Sequence, residues 1–188
     1  MIDPSSNPVS VSPEGGASRI AGTWAAIIAV ETVFCAETRR LFPCDVAIEF
    51  LDDRQAAAWR IRPSGHEWRA ALNALQPAYR ENILRHGVPA ERVAAALRDL
   101  EGATLYAWLP EDVEISSWPL MRTIGQPGIS RVKPLQELFA SIADPRRAEQ
   151  AISDAQSNSL LPSRAVFEAG IYATAARHLG LCHALPRP

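Results

Sequence analysis

Val46-Ala47-Ile48-Glu49-Phe50-Leu51, then Asp52-Asp53-Arg54-Gln55, then Ala56-Ala57-Ala58-Trp59-Arg60-Ile61: the reading of this stretch decides the fold. Two short apolar runs flank four polar residues, the pattern of two strands joined by a turn. Arg62-Pro63 closes the second run, because proline has no N–H to give to a sheet ladder. Upstream, Ile27, Ile28, Val30, Thr32, Val33 and Phe34 tip the later part of Trp24–Cys35 toward a strand as well. An antiparallel meander of three strands is expected.

The character then changes. Glu67–Leu75 is helical up to Pro77, Tyr79–Arg85 is a short helix ended by Gly87, and Pro89 opens a stronger helix over Ala90–Leu100. Ala103-Thr104-Leu105-Tyr106-Ala107 is short, apolar and lies between helices, so it reads as a fourth, buried strand. Further helices are expected at Ser117–Ile124, Lys133–Ile142 and Arg146–Ser157, and from Pro162 or Ser163 to Leu179. The result is a mixed α/β sandwich. Residues 1–23 carry Pro4, Pro8, Pro13, Gly15 and Gly16 with little to bury, and are expected as a disordered arm before one domain at 24–188.

Composition narrows the function. The chain has 188 residues, 47% hydrophobic and 21% charged, with a formal net charge of -2. That excludes a strongly basic nucleic-acid coat. The most apolar stretch, Trp24–Cys35, is broken by Glu31 and falls short of the roughly 18 residues that a membrane helix needs. Cys35, Cys44 and Cys182 show no C-x-x-C spacing, which argues against a zinc knuckle or a disulfide framework. The expectation is a cytoplasmic protein with no membrane partner.

Neither G-x-x-x-x-G-K-[ST] nor G-x-G-x-x-G nor G-x-S-x-G occurs. Carboxylates near strand ends remain. Phosphodiester hydrolysis by two metal ions needs several of them to converge, from the first strand, from the region after the fourth strand and from the last helix. Those places hold Glu37, the Glu111/Asp112/Glu114 cluster and Glu168.

Several short segments resemble motifs of one family. Cys35-Ala36-Glu37-Thr38 and Ile48-Glu49 stand at the spacing of an Asp-x-Glu strand and a following Ile-Glu strand. Arg60-Ile61-Arg62-Pro63 with Trp68, and Leu84-Arg85-His86-Gly87-Val88-Pro89 before a Val-Ala-Ala-Ala-Leu helix, are similar to its next two segments. Ala103-Thr104-Leu105-Tyr106 with Trp118, and Ser163-Arg164-Ala165-Val166-Phe167-Glu168-Ala169, resemble its last two. From about Val33 to Gly180 the chain thus resembles the DEDD-type 3'-5' exonucleases of the ribonuclease-H-like superfamily.

The resemblance implies a ribonuclease-H-like α/β fold: a mixed sheet, with a three-strand meander plus a buried strand, flanked by helices. It implies Glu37, Asp112 and Glu168 as ligands of Mg²⁺ or Mn²⁺ and as catalytic groups together with Ser163, and Arg39 and Arg40 at a substrate phosphate. The departures are specific. Cys35 replaces the first Asp, and a second register, Ala29-Val30-Glu31-Thr32, also lacks it; Ser163 replaces the general-base His, and Glu168 lengthens the last Asp. Soft sulfur suits these hard cations poorly, and a serine hydroxyl does not act as a base near neutral pH. The expectation is an exonuclease-like protein with eroded catalysis that retains binding of single-stranded nucleic acid or a nucleotide. The alternatives are an active metal-dependent exonuclease with a rearranged carboxylate set and a protein-binding module.

Overall fold

The computed structural model describes residues 24–181 apart from 53, 141, 143 and 159–163. The expected arm at 1–23 and the candidate Ser163 lie outside the described residues. A six-stranded mixed sheet forms the centre. Its strands are β1 (Ala25–Cys35), β2 (Arg40–Phe50), β3 (Ala57–Arg62), β4 (Val88–Pro89), β5 (Thr104–Ala107) and β6 (Lys133–Pro134), in spatial order β4-β3-β2-β1-β5-β6.

The meander is present. β1 pairs antiparallel with β2, and β2 with β3, where Asp45 faces Arg60 and Ile48 faces Ala57. On the other side of β1, β5 and then β6 add in parallel, with Ile27 opposite Tyr106 and Tyr106 opposite Lys133. Only Ala25, Ala26 and Ile27 of β1 pair with β5, so the hairpin formed by β1 and β2 projects well past the parallel strands.

One irregularity organises that hairpin. The pairing steps from Glu31↔Asp45 to Thr32↔Pro43 and leaves Cys44 as an extra residue, a β-bulge. An inserted residue shifts the alternation of faces by one. The two strands thus change step with one another: in β2 the buried Phe42, Cys44, Val46 and Ile48 keep the alternation, while in β1 the same layer passes from Ala26 and Ile28 to Val33 and Cys35.

Helices cover both faces. Residues of α1 (His66–Ala71), α2 (Pro77–His86), α3 (Ala90–Arg98) and α4 (Pro110–Met121) pack with Ile28, Val46, Ile48 and Ile61. On the opposite face, α5 (Leu135–Phe139) and α7 (Arg164–His178) pack with Ile27, Ala29, Ala47 and Tyr106. The α7 residues that meet the sheet, Ala165, Ala169, Ala173 and Ala176, are all small and recur at helical spacing, which lets the helix lie close to the strands. The last element, α6 (Pro145–Ser157), packs on α7.

Two helices differ from expectation. The helix expected from Ser117 begins at Pro110, whose missing N–H costs nothing in a first turn, and Pro119 stays inside it. The helix expected over Lys133–Ile142 is only Leu135–Phe139, because Lys133–Pro134 is drawn into the sheet as β6. No helix among the described residues is long and apolar enough to cross a membrane.

Candidate functional site

Asp112 lies in the first turn of α4, just after β5, and Glu168 lies one turn into α7. The Arg164 guanidinium reaches Glu168 at 2.9 Å. That hydrogen bond, and the further negative charge of Glu31 and Asp112, hold the guanidinium above its ordinary pKa. The carboxylates of Glu31, Asp112 and Glu168 thus share one electrostatic neighbourhood, centred on a cation supplied by the chain. Above Glu168, Tyr172 stacks on Trp108 with ring centroids 5.7 Å apart and planes 4° from parallel. Burial, and then Glu168, raise the Tyr172 phenol.

Glu37 is not in this neighbourhood. It occupies the exposed turn between β1 and β2, far along the hairpin from the three residues that pair with β5. The strand carboxylate whose charge reaches Arg164 is Glu31, from the second register of the first motif. Among the described residues, no group of three His, Cys, Asp or Glu side chains could hold a metal ion. As placed, Glu37, Asp112 and Glu168 do not fit a divalent-ion site. Asp112 also has a structural role open to it, since a carboxylate in a first helical turn offsets the helix dipole.

A second polar cluster sits at the bulge. The Tyr79 hydroxyl donates to Asp45 Oδ2 at 2.7 Å and stands 3.2 Å from Glu31 Oε2. Arg60 Nε approaches Asp45 Oδ1 at 3.5 Å, lies over the Tyr79 ring and also donates to Asn82. The Cys44 thiol donates to the Glu31 carbonyl at 3.2 Å. Burial pushes Cys44 up to about 12, helped by Glu31 and Asp45, so it stays a thiol. Asp45 is raised chiefly by burial, opposed by Tyr79 and Arg60. Asp45 was not among the expected site residues, although a lone charge between Cys44 and Val46 is a visible signal of a partnered buried carboxylate.

An open concavity lies at the far end of the hairpin. It is an open groove of about 1010 Å³ between the hairpin, the loop into α1 and the outer face of α4. Phe34, Ile115 and Trp118 line it and are each about half exposed, at 51%, 55% and 53%. Arg39, Arg40 and Arg122 line it as well, against a single carboxylate, Glu67, which lies 3.9 Å from Arg40. Arg39 holds a left-handed backbone (φ 54°) that non-glycine residues rarely adopt, and this sets its place in the turn.

The Trp118 side of the groove is built from α4 and the loop at 125–132. Ser117 Oγ accepts from the Ile129 N–H at 2.8 Å, and Glu114 Oε1 accepts from the Val132 N–H at 3.1 Å. These bonds bring Gly128 against the indole. Arg39 and Arg40 were expected at a substrate phosphate, and the structure puts both in the groove wall. Phe34, Ile115 and Arg122 were missed, since only the fold brings strand end and helix face together.

No known protein-family model matches this sequence, and no curated protein matches it either.

Proposed function

We propose that this protein binds single-stranded nucleic acid in the groove at the hairpin end, on an exonuclease-like scaffold whose hydrolytic centre has eroded. The observation that carries this reading is two exposed aromatic rings, Phe34 and Trp118, set among Arg39, Arg40 and Arg122. Every base has a flat face that can stack on an aromatic ring, and the arginines would meet the phosphates between bases. A duplex hides its base faces, so the preference is for single strands.

The eroded centre is the second half of the proposal. A three-strand meander, parallel strands added beside β1 and a closing helix agree with the ribonuclease-H-like arrangement. At the place where that family would gather metal-binding carboxylates, Arg164 stands paired with Glu168. A guanidinium there neutralises the acidic neighbourhood but cannot activate water as a metal ion does.

Fluorescence anisotropy with a labelled oligothymidylate and a matched duplex, with and without Mn²⁺, tests both halves. The single strand should bind more tightly than the duplex, with equal affinity in EDTA and in Mn²⁺, and should remain intact. Mn²⁺-dependent shortening of the oligonucleotide would establish the active-exonuclease alternative. Absence of binding at low salt would leave the groove to a protein partner.

A further inference from the structure

Glu31 and Asp45 are directly opposite each other on antiparallel strands, a position where two like charges repel. Both carboxylates address one hydroxyl, that of Tyr79, at 3.2 and 2.7 Å. A phenol has one proton to donate. With both carboxylates ionised it can satisfy only one of them. With one proton more, a protonated carboxyl can donate to the phenol oxygen while the phenol donates to the other carboxylate, and both contacts become hydrogen bonds.

The surroundings favour that extra proton. Asp45 is almost wholly buried, and its one cation, Arg60 on β3, stands at 3.5 Å without hydrogen-bond geometry. Cys44, on β2 beside Asp45, stays neutral. On α2, Tyr79 itself and Asn82 face the cluster. From α7, Arg164 lies within electrostatic reach of Glu31, with Glu168 and Asp112 around it.

We propose that the Glu31–Asp45 pair holds one proton between them through Tyr79, and that losing it releases Glu31 from Tyr79. Asp45 has the shorter bond and the Arg60 charge, so Tyr79 stays with Asp45. The bulge then acts as a proton-controlled latch. Below the transition Glu31 is tied to Tyr79; above it, Glu31 is released and carries its full charge, which Arg164 senses. This inference does not depend on what the groove binds.

Carbon-13 NMR titration of Asp and Glu carboxyls in the full chain tests it, with Arg164 Nε followed in the same samples. The wild type should show a carboxyl step with a midpoint above about pH 5.5, and Arg164 Nε should shift at that midpoint. Glu31→Gln and Asp45→Asn, which keep shape and remove one acid, should each abolish the step and the Arg164 response. Use of two variants guards against one failing to fold. The proposal is overturned if all wild-type carboxyls titrate below about pH 5, if the step survives in either folded variant, or if Arg164 does not respond.

Discussion

The pyrrole side of Trp118 rests on the backbone of Gly128, so closely that a methyl group there would meet indole Cδ1 at 2.9 Å. One side of the ring is sealed by the chain, and much of the rest is open to the groove. Gly128→Ala should therefore tilt or displace the indole. Oligonucleotide affinity is expected to fall several-fold while circular dichroism stays that of the wild type. Unchanged affinity with a demonstrably moved indole would show that stacking on Trp118 contributes nothing.

Removing the rings tests the same surface more directly. Trp118→Ala and Phe34→Ala should each weaken single-strand binding roughly five- to a hundredfold, the equivalent of about 1–3 kcal/mol per stacked base. Both side chains are half exposed, so melting temperatures should change little. Anisotropy titrations beside thermal melts read the two effects separately.

The groove arginines predict a salt dependence. Neither Arg39 nor Arg122 has an ion-pair partner among the described residues, and Arg40 has only the distant Glu67. If all three arginines neutralise phosphates, the slope of log affinity against log salt should be about -2 for a single strand. Arg39→Gln or Arg122→Gln should make it shallower by roughly 0.7 each, which a titration series from low to moderate salt would reveal.

Much of the sheet could be read in the sequence because β1, β2, β3 and β5 carry their own β-branched and aromatic runs. β4 and β6 could not. Each is two residues ending in proline, Val88–Pro89 and Lys133–Pro134, and each exists only because a parallel neighbour is there to pair with it. The site was less visible for a related reason. Glu37 looked like the strand-end carboxylate, but the strand runs on past the sheet before it turns. Glu31, not Glu37, is the strand carboxylate whose charge reaches Arg164. Arg39 and Arg40 were expected at a phosphate because of the resemblance, and the turn carries both into the groove wall.

Asp45 should make stability fall as pH rises. Its folded-state pKa is raised, mainly by burial, so the native protein holds this proton more tightly than the unfolded chain does. The contribution is complete below the unfolded pKa and is lost as pH climbs through the native one. Asp45→Asn should flatten that part of the profile, as read by urea denaturation across the acidic to neutral range. Asp45→Ala should instead cost about 1–3 kcal/mol, because Tyr79 loses the shorter of its two hydrogen bonds.

Cys44 should resist alkylation in the native state. Its thiol is buried, bonded to the Glu31 carbonyl and held neutral by a pKa of about 12. Iodoacetamide at pH 8 should label it only after denaturant is added, as mass spectrometry of the digested protein would show. Labelling of Cys44 without denaturant would mean that the bulge opens readily.

From Ile28 to Cys35, β1 has β2 on one side and no strand on the other among the described residues. That margin is a row of backbone donors and acceptors on which a second copy could lay down a strand of its own. The stretch is apolar apart from Thr32 and the charge of Glu31, and the bulge opposite interrupts its flatness. An irregularity of this kind works against edge-to-edge joining of copies. Straightening the hairpin by deleting Cys44, or replacing Glu31 with valine, should produce self-association before it produces unfolding, a cost borne by solubility.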